Sequence, residues 1–290
     1  MERSETVIVF FGENDFSSVV LNALFKDGYH IPLVVCPLYE NDKYKGLEQI
    51  AHKMKAEFIR AKNINSAEIV QKITEMKPDL CVSGDFSKII GKDILAIPKF
   101  GSINLHPSLL PNYRGLAPQH FPIINGENKT GVTVHFMDEN IDTGNIIIQK
   151  EIPISNDMYV SCLLVKWHEI YQTIVNEAVS LVLNSDKGRK QDADGSYYGR
   201  LKEKECEIFF EKGVFSAYNL VRGVSSPYFG AFLKTVSEHG NVLRIWEAEI
   251  EESGVQKEFG KIEIENEDML IYFPDGILRG TYFEWENRDK

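Results

Sequence analysis

Short apolar runs alternate with amphipathic stretches in the first half of the chain. Three runs have the length of buried strands, at residues 6–11, 31–36 and 78–83. Between them, residues 47–55 and 66–76 space their apolar side chains as helices do, with Ser66 as a candidate N-cap. Continuous apolar strands separated by helices are typical of a parallel sheet covered on both faces. The pattern predicts an α/β fold with a mostly parallel sheet.

The pattern changes after a long helix. A core-facing apolar stripe predicts that this helix is capped near residues 155–157 and ends near Asn184. Residues 184–199 are polar and contain glycine, as expected of a linker. Beyond them come a short helix and five β-type segments, at 216–222, 230–236, 242–249, 260–265, 269–273 and 277–285. We expect one domain over 1–190 and a small β-rich, barrel-like (OB-like) domain over 200–290.

The charge of the chain is acidic and unevenly distributed. The 290 residues carry a net charge of −11. Residues 201–290 contain 11 Lys and Arg against 18 Asp and Glu, a net charge of −7. A surface that grips a polyphosphate backbone needs the opposite sign, so we expect no nucleic-acid partner. No run reaches the roughly 18 apolar residues of a membrane span, and we expect a cytoplasmic protein with no membrane partner.

The four cysteines do not form a recognisable site. Three of them lie inside apolar runs, at Cys36, Cys81 and Cys162. The sequence has no Cys-x-x-Cys pair and no visible cluster of metal ligands. We therefore expect buried free thiols in a reducing compartment, and no metal site.

Polar side chains end the next predicted strand, at residues 101–106. Asn104 and His106 are two residues apart and so face the same side, at the edge of a parallel sheet where ligands bind. Asp142 lies in a predicted turn, where we expect Gly144 to supply a positive φ. An amide and an imidazole can stabilise the oxyanion of an acyl transfer and move its proton, with Asp142 orienting His106. Taken alone, these residues also fit a structural histidine and an ordinary turn.

Three segments resemble the signature of the folate-dependent formyltransferases: SINLHPSLLPNYRG (102–115), GVTVH (131–135) and IDTG (141–144). They match in order and spacing, and the clear resemblance covers about residues 7–153. The resemblance implies a Rossmann-like catalytic domain and N10-formyltetrahydrofolate as the formyl donor. It also implies that the catalytic residues are Asn104, His106 and Asp142.

The same resemblance implies the ligand contacts. The pterin slot of the family corresponds here to residues 86–90 and 138–142. The cofactor-binding candidates are Phe86, Ile89, Ile90, Asp138 and Ile141. Ordinary helix core is the alternative for the first three of them. The candidates for binding the acceptor substrate are Ser108, Arg114 and Gly115, and solvent exposure is the alternative to phosphate contact for the arginine.

The acceptor distinguishes three subfamilies. Glycinamide ribonucleotide formyltransferases are similar only over the first domain and carry a glycine-rich phosphate loop, whereas residues 11–16 have one glycine and two acids. Initiator methionyl-tRNA formyltransferases share the two-domain plan, but the acidic C-terminal segment is ill suited to tRNA. The domain junction of two-domain members, including those that act on amino-sugar nucleotides, resembles segments 196–200, 218–222 and 226–232.

Of the three subfamilies, the one that acts on sugar nucleotides fits the sequence best. We expect an N-formyltransferase that acts on a nucleotide-linked amino-dideoxy sugar, for surface polysaccharide (lipopolysaccharide O-antigen) biosynthesis. The expected substrate is dTDP-4-amino-4,6-dideoxyglucose, and the expected assembly is a homodimer. The alternatives are a methionyl-tRNA formyltransferase and a non-catalytic folate-binding protein of the same fold.

Overall fold

The computed structural model describes residues 2–116, 118–192, 194–237, 240–251, 259–265 and 267–287. The chain forms two compact units. Unit 1 comprises Met1–Leu116, Gly131–Ile152 and Lys166–Tyr198. Unit 2 comprises Ala117–Thr130, Pro153–Val165 and Gly199–Lys290. The chain therefore enters unit 2 twice before the linker, and a single boundary between residues 190 and 200 stays a prediction.

A seven-stranded sheet forms the centre of unit 1. Its strands, and the two-residue strand β6 outside it, are β1 (Val7–Phe11), β2 (His30–Pro37), β3 (Glu57–Ala61), β4 (Leu80–Gly84), β5 (Ser102–His106), β6 (Arg114–Gly115), β7 (Lys129–Phe136) and β8 (Ile146–Pro153). The spatial order is β3-β2-β1-β4-β5-β7-β8. Strands β1 to β5 pair in parallel, and β7 runs antiparallel to β5. The predicted α/β fold with a mostly parallel sheet is confirmed.

Helices connect the parallel strands and begin at side-chain caps where the sequence supplies them. They are α1 (Asp15–Lys26), α2 (Lys45–Lys53), α3 (Ala67–Met76) and α4 (Lys92–Leu95). The side chain of Asn14 accepts hydrogen bonds from the first turn of α1, and the predicted cap Ser66 accepts one from the backbone N–H of Ile69 in α3. Two further helices follow, α5 (Phe121–Ile124) and α6 (Val160–Leu183). None of the described helices is long and apolar enough to cross a membrane.

The long helix α6 differs from the expectation at its start. It begins at Val160, beyond the predicted cap at 155–157, where the hydroxyl of Ser155 donates to the carboxylate of Asp157 instead. Along α6 the buried side chains include Leu163 and Trp167, whereas Cys162 is exposed. The prediction that the cysteines in apolar runs are buried is therefore wrong for Cys162, because an apolar run in a helix also has an outward face.

The linker contributes a strand to unit 1, and unit 2 holds an antiparallel sheet. Strand β9 (Tyr197–Tyr198) pairs in parallel with β6. Unit 2 contains helix α7 (Val214–Val224) and the strands β10 (Ala231–Ser237), β11 (Gly240–Glu251), β12 (Ile262–Glu265), β13 (Asp268–Phe273) and β14 (Gly276–Glu286). Their order is β10-β11-β14-β13-β12, with β10 and β12 at the edges. Apolar residues of α7 and of this sheet share one buried cluster, which confirms a β-rich C-terminal region.

Candidate active site

Strand β5 carries the first two predicted catalytic residues, and its neighbour β7 places a histidine beside them. Asn104 pairs with His135 across the antiparallel β5–β7 ladder. Residues opposite each other in such a ladder project to the same face of the sheet. The amide nitrogen Nδ2 of Asn104 lies 3.3 Å from Nε2 of His135. His106 is 4% exposed and His135 is 2% exposed, so both imidazoles are enclosed by protein.

The loop after β7 brings Asp142 to these histidines. Asp142 itself adopts the left-handed conformation, with a φ of 55°. Gly144, for which a positive φ was expected, does not have one. The glycine is required there for a different reason, because a Cβ atom on Gly144 would clash with the carbonyl oxygen of Phe136. The predicted turn is therefore present, with its positive φ at the aspartate.

The carboxylate of Asp142 lies between two imidazoles. Its Oδ2 is 3.5 Å from Nδ1 of His106, and its Oδ1 is 3.4 Å from Nε2 of His135. The backbone N–H of Gly115 donates to Oδ2 at 2.8 Å. The structure therefore brings together Asn104, His106 and Asp142, as predicted, and adds His135, which sequence analysis included only as part of a motif.

The other nitrogen of each imidazole meets a backbone carbonyl. Nε2 of His106 is 2.7 Å from the carbonyl oxygen of Tyr113. Nδ1 of His135 is 2.7 Å from the carbonyl oxygen of Phe136. A carbonyl oxygen can only accept, so the ring nitrogen facing it carries the proton. These two contacts fix the tautomer of each histidine.

Burial and charge act in opposite directions on the pKa values of the site. Burial raises the pKa of Asp142, but His106, the contact with His135 and the hydrogen bond from the backbone N–H of Gly115 outweigh it and lower that pKa far below its usual value. For His106, burial lowers the pKa, and the opposing effects of Asp142 and of the Tyr113 carbonyl do not restore it. Asp142 is therefore ionised over the whole neutral range.

The linker supports the site from behind the Asp142 loop. The side-chain amide of Gln191 donates to the carbonyl oxygens of Asp142, at 2.9 Å, and Gly144, at 2.7 Å. Its Oε1 accepts from Nη2 of Arg114 at 2.8 Å. Gln191 is 7% exposed. No motif in the sequence pointed to this glutamine, because its role depends on the linker returning to the sheet.

The predicted acceptor-binding residues are largely occupied by the protein itself. Arg114 is 4% exposed and binds Gln191, so the structure does not present it as a solvated arginine. Ser108 is fully buried, and its hydroxyl donates to the carbonyl oxygen of Asn112. Gly115 has a φ of 93° and uses its N–H on Asp142. These residues shape the site, and their direct contact with an acceptor stays a prediction.

The predicted folate-binding residues divide into exposed and buried side chains. Ile89 is 69% exposed and Ile141 is 50% exposed. Ile90 is 4% exposed and belongs to the apolar core cluster of unit 1. Phe86 packs against that cluster, with its ring 5.6 Å from that of Phe11. The carboxylate of Asp138 accepts from the hydroxyl of Thr143 at 2.7 Å and so shapes the loop.

A cavity of about 800 Å³ opens beside the Asp142 loop. It is lined by residues of that loop and of the linker, among them Arg114, Asp138, Thr143, Lys187, Lys190 and Gln191. Its lining is of mixed charge, with Arg114, Lys187 and Lys190 on one side of the balance and Asp138 and Asp192 on the other. Among the described residues, no group of three or more His, Cys, Asp or Glu is arranged to hold a metal ion.

Comparisons with known proteins show the family to which the chain belongs. Residues 5–179 match the formyl transferase family, and residues 200–289 match the formyl transferase C-terminal domain. The chain is 32% identical over 285 residues to a methionyl-tRNA formyltransferase of Ruminiclostridium cellulolyticum, covering 93% of this chain and 89% of the relative. It is 34% identical over 290 residues to that of Halothermothrix orenii, covering 94% and 88%.

The fold is also shared with a solved structure of lower identity. That structure is an N-formyltransferase from Helicobacter canadensis, crystallised with folinic acid and dTDP-3-aminofucose. Its TM-score is 0.73 at 21% identity, covering 95% of this chain and 99% of that one. With family matches over both parts of the chain and relatives above 30% identity over nearly its whole length, this protein belongs to the formyl transferase family and is a folate-dependent N-formyltransferase.

Proposed function

We propose that this formyltransferase formylates the amino group of initiator methionyl-tRNA. One observation carries the proposal: two methionyl-tRNA formyltransferases are 32% and 34% identical to the chain, and the likeness spans both family domains. The relatives therefore favour the acceptor that sequence analysis kept as an alternative, over the expected amino-sugar nucleotide. The acidic charge led us to expect no nucleic-acid partner, and the likeness to these relatives weighs against that expectation.

In this proposal the residues around Asp142 act together on the transfer. The amine nitrogen loses a proton as it binds the formyl carbon, and N10 of the folate gains one as its bond to that carbon breaks. Asn104 is half-buried and can donate an amide N–H to the formyl oxygen, where negative charge develops. Nδ1 is the nitrogen of His106 that can take up a proton, because Nε2 donates to Tyr113. Asp142 stabilises that proton.

The residues present fit the proposed donor, N10-formyltetrahydrofolate. Ile89 and Ile141 expose apolar side chains on the two loops to which the resemblance assigns the pterin slot. Exposed apolar side chains of this kind suit the faces of a flat ring. When bound, the folate supplies the activated formyl group, and the role of these residues is to orient it.

A second acceptor, an amino-sugar nucleotide, is favoured by the charge of the protein. The segment 201–290 carries 18 Asp and Glu against 11 Lys and Arg, which opposes binding of a tRNA backbone. The loop after β1 also offers no phosphate cradle. There the carboxylate of Glu13 accepts hydrogen bonds from the hydroxyl of Tyr39 and from the backbone N–H of Ser87.

The two acceptors can be compared in one assay. The purified protein is given N10-formyltetrahydrofolate with either initiator methionyl-tRNA or a panel of amino-sugar nucleotides, at low and at physiological salt. Formyl gain is read by mass, with His106→Gln as the background. Formylation of the tRNA supports the proposal, and formylation of a sugar nucleotide alone replaces it with the second acceptor. Folate binding with neither product would leave a non-catalytic folate-binding protein.

A further inference from the structure

His135 makes contacts that the three predicted catalytic residues do not account for. It lies on β7, outside the catalytic set implied by the sequence, and is 2% exposed. Its Nε2 has two neighbours, Nδ2 of Asn104 at 3.3 Å and Oδ1 of Asp142 at 3.4 Å. One neighbour is a hydrogen-bond donor and the other is an acceptor. The protonation state of His135 therefore decides which of them it binds.

The tautomer of His135 determines which of the two neighbours Nε2 can bind in each protonation state. Because Nδ1 donates to the carbonyl oxygen of Phe136, neutral His135 has no proton on Nε2. In that form Nε2 accepts from the amide of Asn104 and turns a lone pair toward Asp142. In the protonated form Nε2 donates to Asp142, and the amide of Asn104 is released.

His106 meets the same carboxylate under the same constraint. Its Nε2 donates to the carbonyl oxygen of Tyr113, so Nδ1, which faces Oδ2 of Asp142, has no proton in the neutral ring. Two neutral histidines would thus both aim lone pairs at a carboxylate whose side chain is only 12% exposed. A largely enclosed carboxylate is stabilised by a compensating positive charge or by hydrogen-bond donors. This arrangement favours one additional proton in the cluster.

The two carboxylate oxygens differ in what they already bind. Oδ2, which faces His106, accepts from the backbone N–H of Gly115 at 2.8 Å. Oδ1 faces His135, and no other donor among the described residues contacts it. The oxygen that lacks a donor is the one beside His135. The other titratable group near this imidazole is His106, with ring centroids 6.5 Å apart.

We propose that His135 is a positioning residue of the formyl transfer, which holds the additional proton on Nε2 against Oδ1 of Asp142. Its positive charge balances Asp142, so His106 stays neutral with Nδ1 open to a proton. It also leaves the amide of Asn104 unbound by His135 and available to the formyl oxygen. The proposal rests on the proposed formyl transfer for its catalytic meaning, but the proton itself is a property of the protein without ligands.

The first test measures the protonation state of His135 directly. Nitrogen-15 NMR of the full-length, ligand-free protein distinguishes a doubly protonated imidazole from either neutral tautomer, and His135→Gln assigns the signal. We expect a doubly protonated His135 and a His106 protonated only on Nε2 at pH 7. A neutral His135 protonated only on Nδ1 at pH 7 overturns the proposal. This outcome does not depend on any acceptor, so it is independent of whether the proposed function fails.

The second test measures how the charge of His135 affects the pKa of His106. His135→Gln keeps an amide that can contact Asn104 and Asp142 but removes the charge. The pKa of His106 should then rise, because the positive charge of His135 that lowers it is gone and Asp142 has lost its other cation. The acidic limb of kcat/KM should shift upward with it. His120→Asn, which removes a buried histidine from unit 2, is the matched control and should leave the limb in place. An unshifted limb and unshifted His106 titration in a folded His135→Gln protein would contradict the proposal.

Discussion

At the scale of single residues, the site depends on where each proton can reside. His106 and His135 each commit one nitrogen to a backbone carbonyl, and Asp142 receives the nitrogens that remain. Replacing one histidine by a neutral side chain of similar shape therefore removes its proton transfer while keeping its structural contacts. Glutamine is suitable at both histidines, because its amide can keep a carbonyl contact without titrating.

His106→Gln should lower kcat while leaving donor binding nearly unchanged. The glutamine amide can still donate to the carbonyl oxygen of Tyr113, but it cannot take up a proton. One positioned acid–base group contributes roughly 10²–10⁴ in rate, and a fall of that size is expected. Single-turnover rates and folate titration of the variant measure the two effects. Near-normal turnover in a folded variant would exclude His106 from the mechanism.

The cysteines should differ sharply in reactivity. Burial raises the pKa of Cys36, Cys81 and Cys206 to about 12 in each case, so they hold little thiolate at neutral pH. Cys162 is exposed. A thiol reagent should therefore modify one cysteine rapidly in the native protein and the other three only on unfolding. The rapid phase should disappear in Cys162→Ser, and a rapid phase that persists there would contradict the assignment.

At the scale of elements, the site is held by a linker that the sequence marked only as polar. Strand β9 pairs with β6, and Gln191 joins Arg114 to the carbonyl oxygens of Asp142 and Gly144. These contacts keep the Asp142 loop in its left-handed turn. The linker is therefore a structural part of unit 1.

Gln191→Ala should impair catalysis although the residue lies outside the predicted catalytic set. It removes buried hydrogen bonds of about 1 kcal/mol each, and a misplacement of the Asp142 loop near 1 Å can cost about 10²-fold in rate. We expect kcat to fall roughly 10- to 100-fold, with a small loss of stability. Gln71→Ala on the exposed face of α3 is the control and should change neither. A wild-type kcat in Gln191→Ala would show that the linker does not position Asp142.

The sequence predicted the elements well and the cross-strand contacts poorly. The apolar runs of β1, β2 and β4 carry their own signal, as does the cap at Ser66. The role of His135 depends instead on the β5–β7 register, which no local pattern specifies. The positive φ of Asp142 and the close approach of Gly144 to Phe136 are likewise features of the folded loop that no local pattern specifies. The catalytic roles of Asn104, His106 and Asp142 came from a family resemblance and stay predictions here.

At the scale of the whole molecule, buried histidines link stability to pH. Burial lowers the pKa of His106 and of His120, which donates from Nδ1 to the carbonyl oxygen of Gly223. Below the unfolded pKa near 6.5, the unfolded chain therefore binds more protons than the folded one, and stability is lost as pH falls. Asp142 acts at lower pH, since its lowered pKa gives stability that is lost only in acid.

The contribution of His106 and His120 to the free energy of unfolding should therefore decrease as pH falls from about 7 to about 5.5. Each histidine that stays neutral in the folded protein contributes a slope of up to about 1.4 kcal/mol per pH unit. His120→Asn keeps a donor for Gly223 but does not titrate, so its slope should be shallower than that of the parent. Urea denaturation at each pH measures the difference. Equal slopes for the two proteins would mean that His120 does not contribute.

The chain alternates between the two units, so a single crossover between related genes cannot exchange one whole unit. Residues 117–130 and 153–165 belong to unit 2 although they precede the C-terminal family domain, which begins at residue 200. Within unit 2, α5 meets α7 so closely that a side chain on Gly223 would press on Ile124. A recombination event at the linker would therefore transplant α7 without its α5 partner. Chimeras between relatives should therefore fold only when α5 and α7 come from the same parent.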